Sequence, residues 1–218
     1  GWAGGAGTTA QFPCPMEAAP AGYFFFRVAV KGLTGGHSGD DINKGRANAN
    51  KVLNRYLVQL MNRYDLRLCE IDGGNLHNAI PREAHAVCAV PMEYKEAVRV
   101  DLNVFLAEVE NEYAVTEPKL TMELESETPC AEVMEKEAMK RFLLSIYAVH
   151  NGVYAMSQDM PGLVETSSNL ASIKMRDGKI IVGTSQRSSI LSSRKDMSQM
   201  IRAAFELGGA ETTTGVGY

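Results

Sequence analysis

The 218-residue sequence has no apolar run near the roughly 20 residues that a membrane-crossing helix needs. It has no basic excess either. Its 22 Lys and Arg stand against 26 Asp and Glu, and the net charge of −4 argues against a nucleic-acid partner. Cysteine is sparse: Cys14, Cys69, Cys88 and Cys130 form no Cys-x-x-Cys pair. That spacing excludes a cysteine-clustered zinc site and a disulfide scaffold, and it fits a reducing, cytoplasmic setting. Histidine is equally scarce. His37, His77, His85 and His150 show no His-x-x-x-His or His-x-Asp spacing, and no carboxylate pair accompanies them, so no ligand set for a hydrolytic metal site is expected in the chain. A signal-peptide pattern and an initiating methionine are both lacking, and the opening Gly1-Trp-Ala-Gly-Gly-Ala-Gly7 reads as the interior of a longer protein.

What is present is ordinary globular material, 45% hydrophobic and 22% charged. The length suits one large domain or two small lobes. Residues 1–22, rich in Gly, Ala and Pro without a period, read as a connector or edge segment. From Tyr23 to Lys31 the chain alternates. Phe24, Phe26, Val28 and Val30 share one face, and Phe25, Arg27 and Lys31 the other, as in a half-buried strand. Ala49, Val52, Leu53, Tyr56, Leu57 and Leu60 recur at helical spacing, predicting a helix from near Gly45 to about Asn62. Strands at 66–71 and 84–90, a helix through 94–113 and a strand at 120–124 complete the order βαββαβ, the ferredoxin-like pattern, for a lobe over 23–125. After a linker at 126–129, residues 130–218 read as a second lobe. It comprises a helix to Val149, a loop at 150–162, strands at 164–175 and 179–187 joined by a tight Asp177-Gly178 hairpin, a helix at 193–207 and a last strand from about Ala210. The expected fold is therefore α+β: two ferredoxin-like lobes (βαββαβ, then αββαβ) with an antiparallel sheet and helices packed on one face.

The chemistry centres on Lys31-Gly-Leu-Thr-Gly-Gly-His-Ser-Gly-Asp-Asp41, a glycine-rich turn between strand and helix that presents one imidazole, His37. Gly35, Gly36 and Gly39 permit a sharp bend and a close ligand approach. Ser38, Asp40 and Asp41 are candidate caps for the following helix. A Ser38 nucleophile beside His37 is disfavoured. Adjacent residues rarely aim at one another, and the Gly-x-Ser-x-Gly elbow is absent.

Taken together, several motifs in one order resemble the aminoacyl-histidine dipeptidases, which belong to the co-catalytic zinc exopeptidases and aminoacylases. They are Gly32 to Asp40, Gly45-Arg-Ala-Asn-Ala-Asn-Lys51, Asp65-Leu-Arg-Leu68, Asp72-Gly-Gly-Asn-Leu-His-Asn-Ala-Ile-Pro-Arg-Glu-Ala84, Leu163-Val-Glu-Thr-Ser-Ser-Asn-Leu170 and Arg187-Ser-Ser. The resemblance is to the middle of such an enzyme, its lid or dimerisation domain. It implies that His37 stabilises an oxyanion, often across a dimer interface, and that Asn78 contacts the substrate. Arg187 would grip the substrate's C-terminal carboxylate, with Arg194 a weaker candidate for that role. Asn75 and His77 are read as turn formers. The metal ligands and catalytic glutamate of such enzymes lie in a separate catalytic domain. The chain alone is thus expected to hold no cofactor and to be inactive, whereas the complete enzyme would carry two zinc ions. The implied partners are a dipeptide, the chain's own catalytic domain and a second copy of itself. Two other classes are a dimer-interface module without a catalytic contribution and a stand-alone ferredoxin-like small-molecule sensor.

Overall fold

The structure, a computed structural model, describes residues 4–216. Strand β1 (Gly5–Pro13) is followed by a short β2 (Met16–Ala18), a long β3 (Tyr23–Lys31) and a two-residue β4 (Gly36–His37). Helix α1 (Ala49–Arg63) leads to β5 (Arg67–Gly73), β6 (Ala79–Ile80) and β7 (Ala84–Pro91). Helix α2 (Lys95–Glu112), β8 (Thr121–Ser126) and β9 (Glu132–Met134) come next. The chain closes with α3 (Lys136–Ala148), β10 (Gly152–Met156), β11 (Val164–Arg176), β12 (Lys179–Ser188), α4 (Leu191–Leu207) and β13 (Glu211–Val216).

The main sheet runs β13-β1-β12-β11-β5-β7-β3-β8, with β10 added beside β11. Its right-hand half, β5-β7-β3-β8, together with α1 and α2, has the ferredoxin-like order expected for the first lobe. The left-hand half has the same order, and its opening strand is β1. Residues 5–13 are therefore not a connector or an edge. They pair with β12 from Gly5↔Arg187 to Pro13↔Lys179 and with β13 on the other side. This strand was hidden because its inward positions Ala6, Thr8 and Ala10 are small, and only Phe12 marks the period. The second lobe thus draws on residues 5–13 as well as on the chain after 130, and the first lobe is inserted between them.

The lobes meet where β5 and β11 pair at Gly73↔Ile173, and one hydrophobic core runs beneath both. It is built from the alternate residues of the strands (Phe24, Phe26, Val28 and Val30 on β3) and the apolar stripes of all four helices. Phe12 contacts Phe142 and Phe205 edge-on at 5.2 and 5.8 Å. On the opposite face, Phe25 is buried rather than solvated, packed with Cys69, Val87 and Val133 under the β2–β9 ribbon. That ribbon also shortens the third helix, which begins at Lys136 after β9, and part of the expected loop at 150–162 forms β10.

Polar contacts from α1 tie the halves together. Its N-cap is Asn48, whose side chain accepts from the Asn50 and Lys51 N–H groups; none of Ser38, Asp40 and Asp41 caps it, so the helix starts later than the sequence suggests. The Asn48 amide also donates to the Leu170 carbonyl at 2.8 Å. Lys51 donates to the carbonyls of Ile146, Tyr147 and Val149 at 2.8–3.0 Å, at the C-terminal end of α3 where a cation complements the exposed carbonyls. Burial pushes the Lys51 pKa down to about 8, so holding the ammonium there depends on those three acceptors.

Candidate functional site

His37 owes its position to the turn around it. Gly36 has φ +129, and a Cβ there would lie 2.4 Å from an Arg46 nitrogen and 2.5 Å from the Asp41 carboxylate, so only glycine fits. The Asp41 carboxylate accepts the His37 backbone N–H at 2.8 Å and pairs with Lys44 at 2.7 Å and Arg46 at 3.4 Å. The Lys44 ammonium, with the His37 N–H, holds its carboxyl below the ordinary range. Arg46 in turn donates to the Gly35 carbonyl at 2.8 Å.

The His37 ring is oriented by backbone. Its Nδ1 lies 3.0 Å from the Gly39 nitrogen and 3.2 Å from the Asp40 nitrogen, and accepts from both. In the neutral ring Nδ1 is then the acceptor, and Nε2–H is left as the donor. The side chain is 39% exposed, enough for that N–H to meet a ligand. Ser38 faces inward, and among the described residues its hydroxyl has no hydrogen-bond partner. A hydroxyl unlinked to the imidazole beside it is not an activated nucleophile.

Asn78 comes to the same place through the small β4–β6 ribbon, where His37 pairs with Ala79. The Asn78 carbonyl accepts the Ser38 N–H at 2.9 Å, and the Asn169 amide fastens the ribbon to β11 by donating to the Ala79 carbonyl at 2.9 Å. Arg187 reaches the turn from β12. A Cβ on Gly39 would sit 3.0–3.1 Å from three atoms of its guanidinium, so the arginine lies flat against backbone that carries no side chain. The fold thus gathers His37, Asn78 and Arg187 from β4, the β5–β6 turn and β12. Beside them opens a cleft of about 380 Å³ lined by Gly39, Asp40, Asn43, Leu163, Glu165 and Arg187, among others.

The neighbouring candidates lie elsewhere. Arg194 is buried on α4 and does not line the cleft. Asn75 accepts from Lys174 at 2.9 Å, and His77 lines a separate, more open depression with Gly183 and Thr213. Among the described residues, no three or more His, Cys, Asp or Glu converge as metal ligands, and no helix is long and apolar enough to cross a membrane.

A residue that the sequence reading passed over supports the turn from below. Glu117, buried in the loop after α2, accepts from the Thr34 N–H, the Thr34 hydroxyl and the Ala47 N–H at 2.7–2.9 Å. It clamps both ends of the glycine-rich segment. Glu117→Ala would leave those three groups without their acceptor, and a loss of about 2–4 kcal/mol in unfolding free energy is expected in urea melts of the chain. A loss below about 0.5 kcal/mol would show that the clamp is dispensable.

Comparison with known proteins shows what the chain is similar to. Residues 28–117 match the peptidase dimerisation domain family. Over 212 residues, 97% of the chain, the sequence is 36% identical to the cytosol non-specific dipeptidase of Escherichia coli strain K12. The crystal structure of aminoacylhistidine dipeptidase from Vibrio alginolyticus matches over 97% of the chain with a TM-score of 0.95 and 36% identity. Over 97% of its length the chain is thus similar to part of two dipeptidases, and within that span to a peptidase dimerisation domain. It spans 44% of the E. coli protein and 43% of the Vibrio chain, so less than half of either relative is represented. The glycine-rich turn and most of the first lobe fall within the family match, which ends before β8, whereas β12 with Arg187 lies outside it and is covered by the longer alignments.

Proposed function

We propose that this dimerisation domain serves as the lid of a dipeptide hydrolase, supplying substrate-binding and oxyanion-stabilising groups to a catalytic centre carried by another part of the enzyme. The observation that carries the reading is the joint placement of the His37 N–H donor and the Arg187 guanidinium against one glycine turn. A dipeptide has a scissile carbonyl and a terminal carboxylate one residue apart. One group here suits each: an imidazole N–H for the oxygen that becomes negative, and a planar fork for the carboxylate. Asn78, with two donors and an acceptor, suits the peptide backbone between them.

Enzymes of this group use two zinc ions, which supply Lewis-acid activation of water and carbonyl when bound. Among the described residues no ligand set converges, and on this reading the ions are held by residues outside the chain, with no role for them assigned to His37. The domain is proposed to pair with a second copy of itself, as the family description implies, and to act in the cytoplasm, as the name of the E. coli relative implies.

The test compares the chain alone with the complete enzyme. The complete enzyme should hydrolyse aminoacyl-histidine dipeptides, whereas the chain alone should be inactive and show no stoichiometric zinc uptake by titration calorimetry. Tight zinc binding to the chain, abolished by His37→Ala, would overturn this assignment of roles.

A further inference from the structure

The cleft beside Arg187 carries both signs of charge, and the dipeptide reading accounts for only the positive one. Ser167 on β11 pairs with Arg187 on β12, and Glu165, two residues before Ser167, returns to the same face of the sheet. Arg187 and Glu165 therefore line one cleft from adjacent strands. Glu165 is fixed along its backbone, because its carbonyl accepts the Ser189 N–H at 3.0 Å, and the Thr166 hydroxyl approaches its carboxylate at 3.3 Å. Leu163 and Val164 add an apolar wall next to it. The other carboxylate of the cleft, Asp40, has a side chain that is 89% exposed and is correspondingly screened by water. Glu165 is half-buried, and its charge is felt more strongly inside the cleft.

On the dipeptide reading, Arg187 holds the terminal carboxylate. The side chain of the same substrate residue branches from the carbon next to that carboxylate, so it is confined to the same cleft. We infer that Glu165 is a specificity-determining residue: it faces the side chain of the dipeptide's C-terminal residue and favours an imidazole or ammonium group there over an aliphatic or acidic one. The inference rests on the dipeptide reading and adds a side-chain preference to it. An N–H of a histidine or lysine side chain would donate to the Glu165 carboxylate, while Leu163 and Val164 cover the methylene carbons.

The test uses the complete enzyme and three dipeptides that differ only in the C-terminal residue: Ala-Lys, Ala-Leu and Ala-Asp. kcat/KM is measured for wild type, Glu165→Gln and Glu165→Lys. Glu165→Gln should lower the Ala-Lys to Ala-Leu ratio about tenfold, the loss of one charge-assisted hydrogen bond. Glu165→Lys should invert the preference between Ala-Lys and Ala-Asp, a gain that a misfolded variant would not show. Unchanged ratios in both variants, with an active wild type, would overturn the inference and leave the dipeptide reading standing. Equal loss on all three substrates would also overturn it, showing that Glu165 reads a group common to them. A wild type that cleaves none of the three would remove the dipeptide reading, and this inference with it.

Discussion

In the complete enzyme, His37→Ala is expected to lower kcat by on the order of 10²–10³, the effect of removing one donor to a developing oxyanion. KM should change far less, because the missing bond forms mainly in the transition state. Metal content by elemental analysis should stay at the wild-type level. The expectation follows from the tautomer. Both backbone N–H groups of Gly39 and Asp40 donate to Nδ1, so in the neutral tautomer the ring proton sits on Nε2 and that N–H is the donor left for a ligand. His37→Gln, which retains an N–H of similar reach, should recover part of the lost turnover. A variant that loses metal, or one that keeps full turnover while KM climbs, would mean that His37 is a ligand or a substrate anchor instead.

The second large effect belongs to Arg187 and is one of binding. Arg187→Lys replaces a planar fork by a point charge and should weaken binding of free dipeptides by about 1.5–3 kcal/mol, roughly ten- to a hundred-and-fifty-fold. Dipeptides amidated at the C-terminus should be largely indifferent to the change. Gly39→Ala probes the same contact from the other side. Its added methyl would press on three guanidinium atoms at 3.0–3.1 Å, and Gly39 is not one of the left-handed glycines, so the strain falls on Arg187 rather than on the backbone. The alanine variant should show a smaller rise in KM with the same dependence on a free carboxylate. If free and amidated substrates suffer equally in either variant, Arg187 is not the carboxylate clamp.

The first lobe was legible because its strands are rich in aromatic and β-branched residues and its helices show a clear apolar stripe, with Val52, Leu53, Tyr56, Leu57 and Leu60 all buried. Strand β1 was not legible, because Gly, Ala and Thr can line a tight interior as readily as a loop. Its assignment needs partners nearly the whole chain away, on β12 and β13, which no local pattern contains. Phe25 looked solvent-facing because the ribbon that covers it is formed by residues 16–18 and 132–134. For the candidate site, the glycines and His37 stood out locally. Glu117 did not, since a single glutamate after a helix carries no signal until the fold brings Thr34 and Ala47 onto it. Asp41 is one of three candidate caps by sequence, whereas in the fold it pins the His37 backbone and Asn48 caps the helix. The Arg187–Gly39 contact joins residues on β12 and the turn after β4, so motif spacing alone could not supply it.

The most direct measurement is a crystal structure of the complete enzyme with a phosphinic dipeptide analogue, whose tetrahedral phosphorus mimics the attacked carbonyl. The account predicts His37 Nε2 at about 2.7–3.1 Å from one phosphinyl oxygen. It also predicts the Arg187 guanidinium bonded through two nitrogens to the terminal carboxylate. An inhibitor bound with its carboxylate away from Arg187, or with no contact from His37 of either protomer, would contradict it.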